Sequence, residues 1–455
     1  MHLHRRTLFT LLGSLLLGAC ATPAPPSTEA PIVFVHGNGD SAALWQTTIW
    51  RFESNGWPAD RLLALDMPNP LARDDDTKAQ PGRSSTTEQA QYLAAEVDKL
   101  LARTHAQQVV LMGNSRGGYA IRNYVRNFGG AAKVAAVVLS GTPNHGVWAI
   151  AAFQPNNEFN GAGPFLKALN SPQGPNGDEV TPGPRWLTIR SDHEDKYAQP
   201  DGAWIGARGK PTNVGYDGPA LKGADNEVLS GRDHRETAFH PQAFALAYAF
   251  ITGHAPKTLD IVPAAPVVLD GKISGVGAAG PDNLPLAGAT VDVYAVDAAT
   301  GARRGAAQHH RVVGADGRWG PFQAAPDTAY EFVIGADGYA TTHIYRSPFP
   351  RSSRIVDMRA MRLPKDLGGA AAVISLSRPR GYFGLPRDRV VLDGIDPAPG
   401  IPPGVPGVSI STLKLKDGAG RSVVGSFDSA SLHERIAGIA WPAAQNAVTV
   451  LELTQ

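Results

Sequence analysis

One cysteine stands among 455 residues, so no disulfide can form within the chain and no thiolate cluster can hold a metal. Lysine and arginine never gather into a dense run, and the formal net charge is +1 at pH 7, which argues against nucleic acid as a partner. The apolar stretch at residues 8–17 falls well short of the ~20 residues that a membrane-crossing helix needs. Charged residues make up only 18% of the chain, whereas glycine and proline number 50 and 37, the composition of turns and β structure. A hydrophobic content of 43% excludes disorder, because it suffices to build real cores. The length exceeds what one core organises, so two domains are expected.

Arg5 and Arg6 precede the apolar stretch at 8–17 in the layout of an export signal. Leu17-Gly18-Ala19-Cys20 resembles the lipobox of bacterial lipoproteins, which implies lipidation of Cys20 after cleavage. Acyl chains at roughly 0.8 kcal/mol per buried CH₂ then attach the protein to a membrane. Residues 1–20 are therefore expected to be an export signal and 21–30, with Pro23, Pro25 and Pro26, a stiff tether. The expected destination is outside the cytoplasm, as a bacterial envelope lipoprotein or a secreted protein.

From residue 31 strand-like and helix-like patterns alternate, as in a mostly parallel sheet flanked by helices. Helices are expected at 42–52, 85–103, 118–128 and from His240-Pro241 to Gly253. The second opens with the capping box Ser85-Thr86-Thr87-Glu88 and buries Leu93, Val97, Leu100 and Leu101. Strands are expected at 61–66 and 133–140. Four further strand-like runs each deliver a polar loop. Ile32-Val33-Phe34-Val35 leads to His36-Gly37-Asn38-Gly39-Asp40, and Val109-Val110-Leu111-Met112 to Gly113-Asn114-Ser115-Arg116-Gly117. Trp186-Leu187-Thr188-Ile189 leads to Ser191-Asp192-His193-Glu194-Asp195, and Glu227-Val228-Leu229 to Ser230-Gly231-Arg232-Asp233-His234.

In a chain this rich in glycine a bare G-x-S-x-G arises by accident in roughly one case in three, so the pattern counts only with its setting. Strand, sharp turn and helix around Ser115 resemble the nucleophile elbow of the α/β-hydrolases. The order Ser115, then Asp195 or Asp192, then His234 is that family's order. The chemistry explains the residue types. A hydroxyl is a poor nucleophile until an imidazole takes its proton, which is the role of His234. A carboxylate on the other ring nitrogen fixes the tautomer; the run Asp195-Lys196-Tyr197-Ala198-Gln199-Pro200 favours Asp195, with Asp192 as the alternative. The backbone N–H groups of Asn38 and Arg116 are expected to form the oxyanion hole. His36, His145 and His193 read as loop caps and His240 as a helix-start residue, so neither metal nor cofactor is expected. Asp74-Asp75-Asp76 lacks the Asn, Gly and distal Glu of a calcium loop and reads as a solvated turn.

Residues 31–141 resemble the minimal bacterial true lipases, through Val35-His36-Gly37, Gly56-Trp57-Pro58-Ala59-Asp60-Arg61-Leu62, the elbow, and Lys133-Val134-Ala135. Residues 249–263, with Tyr345-Arg346-Ser347-Pro348-Phe349, are similar to a two-domain archaeal lipase that carries a β lipid-binding domain. The elbow departs from such lipases in having Asn114 for His and Arg116 for Met or Gln. A charge at 116 is expected to reach the acyl pocket and disfavour long chains. Between 141 and 185 the pattern dissolves around Trp148, Phe153, Phe159 and Phe165, which reads as a cap over that pocket. The catalytic domain is expected at 31–254 and a linker at 255–283.

The rest is all β. Residues 284–363 resemble a transthyretin-like sandwich, and 364–455 are expected to be a further β region packing on it; the whole serves as a structural or substrate-docking module. The resemblance implies a serine carboxylic-ester hydrolase, a lipase or esterase acting on apolar acyl esters. The alternatives are an extracellular polyester depolymerase and a non-catalytic envelope lipoprotein with an adhesive β domain.

Overall fold

The computed structural model describes residues 29–174, 176–430 and 432–455. The export signal, Cys20 and most of the tether lie outside the described residues. Six strands, β1 (Ile32–Val35), β2 (Leu62–Leu65), β3 (Val109–Asn114), β4 (Val134–Ser140), β5 (Arg185–Ser191) and β6 (Asp225–Leu229), form one sheet in the order β2-β1-β3-β4-β5-β6. Every pair in it is parallel, with Ile32 beside Leu62 on one side and Val110 on the other. Continuous apolar runs suit this arrangement because helices cover both faces, and all of β1 and β3 is buried.

The helices α1 (Gln46–Ser54), α2 (Thr86–Thr104), α3 (Arg116–Asn127) and α4 (Pro164–Leu169) are followed by α5 (Glu236–Phe239) and α6 (Pro241–Thr252). α2 starts where its capping box directs. Ser85 Oγ accepts from the Glu88 N–H at 3.1 Å, and the Glu88 carboxylate accepts from the Ser85 N–H at 2.7 Å, a device worth about 1 kcal/mol. Its face of Leu93, Val97 and Leu100 is fully buried against the sheet, while Leu101 sits at the margin. The Asp76 carboxylate closes the preceding turn on this helix, accepting from the N–H and hydroxyl of Thr86. Gly253, at φ 81°, stops α6 in the left-handed conformation that favours glycine.

Residues 255–283, expected as a linker, are fixed to both halves of the chain. Arg51 Nε donates to Leu259 O at 2.9 Å, Asn55 Nδ2 donates to Thr258 O at 2.9 Å, and Val267–Leu269 pairs with Phe322–Ala324. The β half is built on a seven-stranded sheet in the order His309–Val312, Thr290–Val296, Ala329–Gly335, Thr341–Arg346, Ala447–Glu452, Ala372–Ser377 and Ile410–Leu415. The last strand of the chain inserts parallel to Thr341–Arg346 on one side and Ala372–Ser377 on the other. Residues 364–455, expected as a further β region packing on 284–363, contribute three strands to the same sheet. Trp50 of α1 reaches into this half, packing edge-on against Phe349 at 6.4 Å and donating from Nε1 to Ser352 O at 2.8 Å. The two halves are thus bound by core side chains as well as by surface contacts.

Candidate active site

Ser115 occupies the turn between β3 and α3 with φ 53° and ψ −123°, a strained conformation held by backbone bonds from Ser115 N to Ser140 O and from Gly118 N to Ser115 O. Two close approaches explain the small residues around it. A Cβ on Gly117 would lie 2.4 Å from Val35 O, and one on Gly37 would lie 2.9 Å from Ser115 Cβ. The loop after β1 is therefore pressed directly against the elbow. Asn38 Oδ1 accepts from Ala72 N at 2.7 Å and fixes that loop, while Arg116 opens α3, where N–H groups have no intrahelical acceptor.

His234 precedes α5 and is buried. Its Nδ1 lies 2.8 Å from Oδ2 of Asp195, in the loop after β5, and Thr237 Oγ1 donates to its carbonyl at 2.8 Å. Its Nε2 is buried with no hydrogen-bond partner among the described residues. The Tyr197 ring stands edge-on to the imidazole at 4.7 Å, and the Tyr197 N–H donates to Asp195 Oδ1 at 2.8 Å. Asp192 is turned elsewhere, accepting from Gly231 N at 2.9 Å and Glu194 N at 3.2 Å. A cavity of about 280 Å³ is lined by Ser115 and His234 together with Asn38, Trp148, Phe159, Trp204 and Tyr382. Trp148 and Phe159 come from the expected cap, whereas Phe165 packs on Tyr119.

Arg116 corrects an expectation. Its side chain is 1% exposed and runs away from the cavity to a two-pronged ion pair with Glu158, at 2.6 and 2.7 Å, with further bonds to Pro70 O and Ser84 O. Burial pushes the Glu158 carboxyl up even beside this guanidinium. The charge at 116 does not reach the cavity that Ser115 lines. Asn114, buried under the elbow, donates from Nδ2 to Ser140 O at 3.0 Å and leans toward His234 O at 3.4 Å.

The other histidines have local duties. His36 Nε2 accepts from Met67 N and its Nδ1 faces Gly37 O, with burial lowering its pKa. His145 pairs with Glu179, His193 with Glu194, and His240 Nδ1 accepts from Gln242 N at the start of α6. Trp204 and Tyr382 gave no signal in the sequence, since neither sits in a motif and Tyr382 is far along the chain in the β half. Beside them Lys196 Nζ lies 3.9 Å from the Tyr382 ring centre, and burial pulls its ammonium down to about 7.

Residues 30–166 match the model of the alpha/beta hydrolase fold, and residues 265–363 match that of the lipase C-terminal domain. The chain carries an α/β-hydrolase domain followed by a lipase C-terminal domain. Among solved structures, the hydrolase is similar to lipase BlEst2 of Bacillus licheniformis in mature form, at 19% identity over 51% of this chain and 95% of that one, with a TM-score of 0.36. It is also similar to lipase B of Aspergillus fumigatus, at 15% over 51% and 54% (TM-score 0.34), and to carboxylesterase CesB of Bacillus subtilis, at 13% over 50% and 86% (TM-score 0.28). No helix among the described residues of the hydrolase is long and apolar enough to cross a membrane.

Proposed function

We propose that this hydrolase cleaves carboxylic esters of apolar acids through an acyl-enzyme, with Ser115 as nucleophile, His234 as general base and acid, and Asp195 as the orienting carboxylate. The observation that carries the reading is the 2.8 Å contact between Asp195 and His234 Nδ1, which leaves Nε2 as the proton acceptor in a cavity that Ser115 also lines. Ser115 Oγ attacks the ester carbon while its proton passes to Nε2. The bond to the leaving alcohol then breaks as Nε2 returns that proton to the alcohol oxygen, and water repeats the sequence to free the acid. The backbone N–H groups of Arg116 and Asn38 receive the negative oxygen of the tetrahedral intermediate; one such donor is worth roughly 3 kcal/mol of barrier.

Five aromatic side chains, Trp148, Phe159, Tyr197, Trp204 and Tyr382, line the cavity among polar ones, and its volume is about 280 Å³. This supports short to medium acyl groups on soluble esters over a chain lying on a solid polyester, which requires an open trough. Rates on p-nitrophenyl esters of rising chain length, set against release of soluble acid from polyester film, test the choice. Film hydrolysis outpacing every soluble ester would reverse it. We read residues 1–20 as an export signal with Cys20 lipidated, which places the enzyme in the cell envelope.

A further inference from the structure

Three loops bring residues to the cavity, and each is held by residues that follow the hydrolase domain, Asn283 for the first and the β half for the other two. After β1, Asp40 O accepts from Asn283 Nδ2 at 2.8 Å. After β5, Lys196, the neighbour of Asp195, donates from Nζ to Gly407 O at 2.9 Å. After β6, Asp233 and Glu236 flank His234, and both are buried beneath two arginines of the segment 378–388. Arg378 meets Asp233 at 3.1 Å and Glu236 at 2.7 Å, and Arg387 meets Glu236 at 3.0 Å.

Tyr382 lies at the centre of this segment. Its N–H donates to Asp233 Oδ2 at 2.8 Å, and its carbonyl accepts from Arg378 at 2.6 Å and Arg387 at 3.2 Å. Its ring lines the cavity and takes Lys196 at 3.9 Å and Arg235 at 4.7 Å; these are the chain neighbours of Asp195 and His234. Arg235 also pairs with Asp40 at 3.0 Å, closing a circuit around all three loops. A surface-docking accessory has no reason to send a buried arginine between the residues that bracket a catalytic histidine. Removing one partner from such a network moves the carboxylates that hold the loop.

We propose that segment 378–388 of the β half is a working part of the active site, with Arg378 and Arg387 as positioning residues that act on His234 through Asp233 and Glu236, and Tyr382 as a wall that sets acyl length. The proposal rests on the reading of His234 as the base.

The test uses the full chain. Arg387→Gln is expected to lower kcat on a short ester by about 10- to 100-fold, the effect of displacing a catalytic group by about an ångström, with KM little changed. Arg387→Lys, which keeps the charge, is expected to recover most of it. Tyr382→Ala is expected to shift kcat/KM toward longer acyl groups relative to shorter ones by about tenfold, and Tyr382→Phe to keep the parent profile. A folded Arg387→Gln variant with unchanged kcat overturns the positioning role, and an unchanged profile in Tyr382→Ala overturns the wall. If Arg387→Gln does not fold, Arg378→Lys, which keeps the charge but cannot bridge Asp233 and Glu236 at once, takes its place: a lowered kcat is expected, and an unchanged one overturns the positioning role. Fluorophosphonate labelling of the parent separates the two levels. An unlabelled Ser115 sinks the functional reading itself, whereas a labelled parent with indifferent variants sinks this inference alone.

Discussion

Glu158→Gln strips the counter-charge from Arg116 while keeping the size of the side chain. Both partners are almost fully buried, at 1% and 2% side-chain exposure, and they meet through two short bonds, so the variant leaves a guanidinium stranded in the interior. Breaking a buried pair by removing one partner costs about 3–5 kcal/mol. At about 2–4 °C per kcal/mol for a domain of this size, the catalytic half should melt ~6–20 °C lower. The double variant Arg116→Met, Glu158→Met should recover part of this, because no charge is left unpaired; recovery stays incomplete since Pro70 O and Ser84 O lose their donor. Thermal unfolding followed by circular dichroism reads these changes, and chain-length profiles on soluble esters read the pocket. Because the Arg116 side chain runs away from the cavity, the profile should not move. A destabilisation below about 1 kcal/mol, the scale of an exposed pair, would refute the energetic reasoning. A gain in long-chain activity would refute the placement.

Asp195→Ala should lower kcat by on the order of 10³- to 10⁴-fold in steady-state assays, while Asp192→Ala leaves it near the parent's; the reverse outcome exchanges their roles. Burial, followed by the Arg232 guanidinium, lowers the His240 pKa from 6.5 to about 4. The fold therefore favours the neutral ring that caps α6, and this contribution is complete above pH 6.5 and lost as the pH falls toward 4. Urea titrations at pH 7 and pH 5 should show part of a loss of at most about 3 kcal/mol, which His240→Asn, a cap that does not titrate, should reduce; equal pH slopes in the two proteins would contradict it. Cys20→Ser should abolish incorporation of an alkyne fatty acid into the expressed protein, and labelling that persists would place the lipid elsewhere.

The catalytic half was legible because its signals are local. The Ser85 to Glu88 capping box marked the start of α2, unbroken apolar runs marked strands buried on both faces, and the loop after each run carried the candidate polar residues. The direction of Arg116 was not legible, since a motif fixes a position in the chain and leaves the side chain free to find its partner; that partner, Glu158, sits in an irregular segment without periodicity. The shared sheet of the β half escaped for a related reason. Thr341–Arg346 pairs with Ala447–Glu452 across about a hundred residues, and alternation in either strand names no neighbour. Tyr382 reaches the cavity only through the packing of the two halves, and Trp204 from a turn outside any motif, neither of which a spacing in the sequence records.

The most direct test of the account is mass spectrometry of the folded protein after treatment with a fluorophosphonate. One adduct is expected, on the peptide that contains Ser115, with labelling lost in His234→Ala. A folded protein that stays unlabelled, or an adduct on another serine with Ser115 untouched, would contradict it.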